Sequence, residues 1–415
     1  MPPLPWLPAF AALWLTLSLA AARADWPQWR GPQGSGVWPQ PAPPEDFAKR
    51  QPRLLWKQPL GGGYSGLSTA KQRLYSLDRP KGSNMERLQC RRVSDGVVLW
   101  EQSWEADYSG MEYGNGPRAT PTVANDAVYT LGATGVASAF EALTGKVLWR
   151  IDCVEAHGAK RPTWGFAASP LVDGSNLLLH VGAPKGSVIA VDCKNGSLIW
   201  KGGDDPAGYC TPQFITHEGQ RQLISWGPKH IESIKPQGGE LNWRWPYPIT
   251  YGVSIAQPIH HDGILLVSGY WHGSRALKLG PKPEDAPSLA WENQDKICGL
   301  MSSALRRDNV IYLLDKTKGV QAIDLKTGRI LWSDDKQLES AAHNPQISLV
   351  WLDQAKGLAA GLNSDGELLL IELSPKGRRE LARHQLIGKT WAHPAFDGPR
   401  IYLRSDTSLV AWQLW

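Results

Sequence analysis

Nine side chains in this 415-residue chain have the chemistry to hold a ligand: Tyr113, Asn115, Arg118, Trp164, Tyr251, His343, Asn344, Trp391 and His393. Arg118 can fork onto a carboxylate, the aromatic faces can stack on a ring or a sugar, and the amides and imidazoles supply donors and acceptors. The set suits a planar or anionic ligand and is expected to bind rather than to react. Catalytic patterns are missing: there is no HExxH, GxSxG or Walker motif, and His260, His261 and His272 lack zinc-ligand spacing. Gly61, Gly62 and Gly63 precede a strand pattern instead of the helix that a phosphate loop requires.

What must position these residues is read from a repeat. The stretch Ala322 to Trp332 reads as a strand, a Lys326-Thr327-Gly328 turn and a returning strand ending in Trp. Gly328 supplies the positive φ of a tight turn, and the Asp324 carboxylate can accept from the turn's N–H groups. Close copies run from Ala139 to Trp149 and from Ala190 to Trp200, and weaker ones end at Trp100, Trp243, Trp291 and Leu381. Leu54-Leu55-Trp56 is a returning strand with no hairpin before it, and Val410 to Trp415 is a hairpin strand with none after it. The eight anchors stand roughly 40–50 residues apart, the period of propeller blades. The expected fold is therefore all-β: an eight-bladed β-propeller of four-stranded antiparallel blades, closed by pairing the N- and C-terminal strands. Loops leading from one blade's outer strand to the next blade's inner strand open beside the central channel. The nine candidates fall in those loops, and so do Tyr64, Tyr209 and Cys298. Their rings either wedge between inner strands and seal the channel or surround a polar-aromatic pocket at its mouth.

The pattern Ala-x-Asp-x-x-Thr-Gly-x-x-x-Trp resembles the repeat of the PQQ-like (pyrroloquinoline-quinone-type) propellers, which include quinoprotein dehydrogenases and the barrel-assembly lipoprotein BamB. The opening Asp25-Trp26-Pro27-Gln28-Trp29-Arg30-Gly31-Pro32 is similar to the start of exported planctomycete-type PQQ-like repeat proteins. By analogy with BamB, the resemblance implies a non-catalytic scaffold of the cell envelope that binds proteins or ligands. It also admits a PQQ-dependent dehydrogenase or a carbohydrate-binding propeller. A quinoprotein would imply calcium held by acidic and amide side chains, an Asp base, a Trp beneath the quinone and often adjacent cysteines. Here no two cysteines are adjacent, and the oxygen donors on offer, Asp107, Glu112 and Asn115, come from one loop. No cofactor is expected; PQQ with calcium belongs only to the dehydrogenase reading.

Residues 1–24 read as a signal peptide, with an apolar run from Leu7 to Ala22 and a small-x-small site before Asp25. A monomeric periplasmic or secreted protein without a membrane span in its mature form is expected, with envelope or secreted proteins as its partners. Residues 25–52 read as a Pro- and Trp-rich arm in which at least one of Trp26, Trp29 and Trp38 should lie on the propeller, and 53–415 as the propeller itself. A formal charge of +5, with no run of five like charges, is too small to argue for nucleic acid. Five cysteines leave at least one unpaired, and buried free thiols are expected ahead of a Cys153–Cys193 bridge.

Overall fold

A computed structural model describes residues 25–38, 43–114, 116–342 and 344–415. The expected signal segment, part of the proline-rich arm, Asn115 and His343 lie outside the described residues. Thirty-two strands form eight four-stranded antiparallel sheets, each with its strands in chain order except the last. That last sheet takes Ala395–Asp397, Arg400–Arg404 and Ser408–Gln413 from the C-terminal end and Arg53–Pro59 from the N-terminal end. Lys57 sits opposite Val410 and Pro59 opposite Ser408. Pairing the two ends leaves the ring with no open edge between first and last segments.

The repeated turn works as its residues suggest and does one thing more. In the template copy, Asp324 accepts from the Thr327 N–H (2.9 Å) and hydroxyl (2.8 Å), and Gly328 takes φ 71°. A bulge between Ala322 and Ile323 then sets the returning strand, which carries Trp332. The additional role is contact between blades. The indole N–H of Trp56, Trp100, Trp149, Trp291 and Trp332 donates to a carbonyl in the following blade's turn, from Val93, Ala142, Cys193, Leu325 and Ser374 respectively. A methyl group on Gly96, Gly145, Gly196, Gly239 or Gly328 would meet the preceding blade's Trp ring at 2.6–2.9 Å. Each of these turn glycines thus lies under a tryptophan, where no side chain fits. The exception among the anchors, Leu381, faces the closing blade, whose third and outer strands come from opposite chain ends and so have no turn for a Trp to cover.

Side chains from neighbouring sheets interdigitate into a series of apolar clusters around the ring. All five cysteines are buried and free, including Cys153 and Cys193.

The arm is bound more deeply than a surface strap. Trp26 and Thr69 exchange backbone hydrogen bonds (3.0 and 2.9 Å), Val123 donates to the Pro27 carbonyl (2.7 Å), and Trp38 and Trp351 are joined through Trp38 N–H to Trp351 O (2.8 Å). The Trp26 and Trp38 rings, both buried, pack on Phe396 with centroids 4.8 and 4.3 Å away. Residues 26–38 therefore cross the channel from the first two blades to the seventh and eighth.

Candidate functional site

Extended backbone places every second side chain on the same side, and the eight loops entering the inner strands use this to line the channel. One layer of the lining consists of Tyr64, Arg118, Ala167, Tyr209, Val253, Met301, Asn344 and Trp391; the residues two positions on, from Gly66 through Thr120, Ser169 and Thr211 to His393, make a second layer beneath it. Together with Tyr113 and Trp164 from the loops above and Trp29 from the arm below, they enclose a cavity of ≈ 260 Å³.

Of the sequence candidates, Tyr113, Arg118, Trp164, Asn344, Trp391 and His393 border this cavity. Tyr251 does not: it stands in a short 3-10 turn at φ 58°, 72 % exposed, and its loop turns Val253 and Ile255 inward instead. Asn115 and His343 lie outside the described residues. Tyr64, Tyr209 and Trp29 line the cavity without being among the nine candidates, although the first two share their loop position. The signal that would have found the whole lining is the two-residue alternation upstream of each inner strand. Trp29 has no such signal, because its position depends on how the arm folds back.

The rings form a connected cage. Trp391 lies 5.5 Å from Tyr64 and 5.7 Å from Tyr113 between centroids, Trp164 lies 5.7 Å from Tyr209, and His393 meets Trp29 edge-on at 5.4 Å. The Trp164 indole is oriented by its bond to the Glu112 carboxylate at 3.0 Å. Arg118 is already engaged. Its guanidinium donates to the carbonyls of Glu112 (3.0 Å), Tyr113 (2.7 Å) and Gly116, so it braces its own loop rather than reaching freely for a carboxylate. Burial also lowers its pKa. Burial, reinforced by the Arg30 charge, pulls His393 down to about 3, which makes it a neutral imidazole at physiological pH.

Among the described residues, no carboxylate borders the cavity. Two buried acids on the first blade serve as structural acceptors: Glu86 accepts from Tyr108 (2.6 Å), Trp104 (3.0 Å) and the Ala133 N–H (2.8 Å), and Asp78 holds Arg87 (2.7 Å) and the Gly61 N–H (2.6 Å). Among the described residues, no group of three His, Cys, Asp or Glu could hold a metal ion. The donors around this cage do not fit a calcium-bound quinone, because a hard cation wants six or more converging oxygens, several of them anionic.

The rim of the same face has its own composition. Tyr113, Tyr251 and Trp271 are the only aromatic side chains more than about a third exposed among the described residues, at 48, 72 and 45 %. All three are in loops on the face that carries the cavity mouth. Trp271 packs edge-on against Tyr270 at 4.5 Å, and the Lys316 ammonium lies 5.2 and 5.7 Å from the Tyr270 and Trp271 rings.

Ring closure, the Trp-over-turn repeat and the caged mouth define a PQQ-like eight-bladed propeller. Residues 32–208, 84–270 and 288–414 match the family model described as outer membrane protein assembly factor BamB, and the chain belongs to that family. It is 24 % identical over 341 residues to BamB of Burkholderia pseudomallei, covering 73 % of this chain and 87 % of the relative. It is 26 % identical over 238 residues to the quinohemoprotein alcohol dehydrogenase ADH IIB of Pseudomonas putida, covering 55 % of this chain but only 31 % of that enzyme. The solved quinohemoprotein alcohol dehydrogenase of Comamonas testosteroni superposes with a TM-score of 0.67 at 11 % identity over 94 % of this chain and 80 % of that one, a likeness of fold.

Proposed function

We propose that this protein is an exported, non-catalytic binding module of the cell envelope that engages a protein partner through the aromatic rim of its channel-mouth face. The observation that carries this reading is the confinement of the exposed aromatic residues Tyr113, Tyr251 and Trp271 to one face. Trp and Tyr dominate the energy of protein interfaces because each buries a large rigid surface and orders few torsions. Tyr251 adds a cost that invites an explanation: a β-carbon residue at φ 58° is strained, and the strain holds its ring out to water. The BamB relatives, matched over most of their length, support an envelope role.

The dehydrogenase reading rests on the partial match to the Pseudomonas putida enzyme. The aromatic cage, bordered by no acidic oxygen among the described residues, argues against it. Both readings are tested together. Affinity capture from envelope extracts should enrich the same protein reproducibly with the wild type and lose it with a Tyr251→Ala/Trp271→Ala double variant. Capture unchanged by the double variant, or dye-linked alcohol oxidation after addition of PQQ and calcium, would overturn the proposal.

A further inference from the structure

The channel has a second chamber. Beyond Trp29, which borders both, lies a cavity of ≈ 590 Å³ between the arm and the inner strands of the third to seventh blades. The arm pairs with the first, second and seventh blades, packs on the eighth and touches the sixth through Arg30, and the chamber lies beneath it. The size is that of a site for one small molecule.

Its lining differs in kind from the aromatic cage. Among the described residues, Arg30 and Arg306 are the charged ones in its lining, and no Asp or Glu borders it. Arg30 is 6 % exposed. Its terminal nitrogens donate to the carbonyls of Ser303 (3.1 Å), Ser35 (3.1 Å) and Ala304 (2.9 Å), while its buried Nε has no partner among the described residues. A guanidinium buried among neutral carbonyls keeps an uncompensated charge, and burial pulls its pKa down to about 10. Arg306, two residues along the chain from Ala304, donates only to the Asp308 carbonyl; the Asp308 side chain is nearby but does not border the cavity. His260, kept neutral by burial, contributes a buried Nε2 with no partner.

Five glutamines complete the wall: Gln28, Gln33, Gln213, Gln257 and Gln354. Three of them use the amide nitrogen on a backbone carbonyl, of Pro32, Pro258 and Arg306, which leaves their carbonyl oxygens as acceptors. Cationic donors facing a chamber that no described carboxylate borders recognise an anion; amide acceptors and donors around them recognise hydroxyl groups. The Trp29 indole offers a flat surface for a sugar ring.

We infer that this chamber is a binding site for a small polyhydroxylated carboxylic acid of the sugar-acid class, with Arg306 on the carboxylate, the buried Arg30 charge drawing the anion in, and the glutamines on the hydroxyls. The site is separate from the rim proposed to dock a protein.

The test is calorimetric titration of the full chain with D-glucuronate and D-galacturonate, with glucose, acetate and sulfate as comparisons. At least one uronate should bind more tightly than all three comparisons. Arg306→Gln and Gln33→Ala, both on partly or fully exposed residues, should leave the thermal midpoint of the free protein near that of wild type and weaken uronate binding, the former about tenfold. Arg30→Gln would remove the deeper cation but also loosens the arm, so the two milder variants decide. Absence of uronate binding, equal binding of acetate or sulfate, or uronate binding unchanged in both mild variants would overturn the assignment.

Discussion

At Gly145 an added methyl would stand 2.6 Å from the Trp100 ring, on a backbone with φ 77°. Two penalties coincide there: a left-handed conformation costly for any L side chain, and a ring that cannot retreat without leaving the Ala142 carbonyl it donates to. Gly145→Ala should therefore destabilise the protein by about 2–4 kcal/mol, whereas Gly388→Ala, with no atom within 4 Å and no left-handed φ, should change stability by less than about 0.5 kcal/mol; denaturant midpoints compare the two. His393 gives a second residue-scale test. Its folded pKa lies near 3, below the ordinary value of 6.5, so on acidification the unfolded chain takes up the proton first. Stability should accordingly fall as pH drops from about 6.5 towards 3, by up to about 1.4 kcal/mol per unit from this group, and His393→Gln should make the decline shallower. His260, lowered to about 4, adds a slope of the same sign that the variant retains.

The elements were legible in the sequence where a local rule fixed them. Asp324, Gly328 and Trp332 each act within one hairpin or on the next one, so the template identified the blades, and the orphan strands at Leu54 and Val410 identified the closure. Leu381 looked like a decayed repeat because the reason for its missing Trp, a neighbouring blade without a turn, exists only in the closed ring. The candidate site was legible by loop, and by phase for every described candidate except Tyr251. Tyr251 is in the right loop, yet its 3-10 turn rotates the ring outward and presents Val253 and Ile255. The arm was least legible, since its path depends on contacts with residues hundreds of positions away, such as Arg30 with Ser303. These contacts make a prediction at the scale of the element. Trp38 is buried against Phe396 and 5.6 Å from Trp415. Trp38→Ala should free the arm while the ring stays closed, so that brief trypsin digestion cuts after Arg30 in the variant and spares that bond in the wild type, with the fragment beyond residue 53 intact in both.

As a whole the described residues form a closed ring with two differently built chambers and the exposed aromatic side chains Tyr113, Tyr251 and Trp271 on one face. The turns of the repeat occupy the opposite face, where Thr144 and Asn195 stand exposed beside Lys146 and Lys194. Blade-to-blade packing through buried Trp rings leaves little capacity for large motion, which suits a platform whose loops carry the specificity. Recognition through Tyr251 and Trp271 is the claim on which the functional account rests. Its most direct test is light-induced cross-linking in envelope preparations from cells that express the chain with a photoreactive amino acid at Tyr251, Trp271, Thr144 or Asn195. The account predicts one and the same protein adduct from Tyr251 and Trp271 and none from Thr144 or Asn195; an adduct of equal yield from both faces, or none from Tyr251 and Trp271, would contradict it.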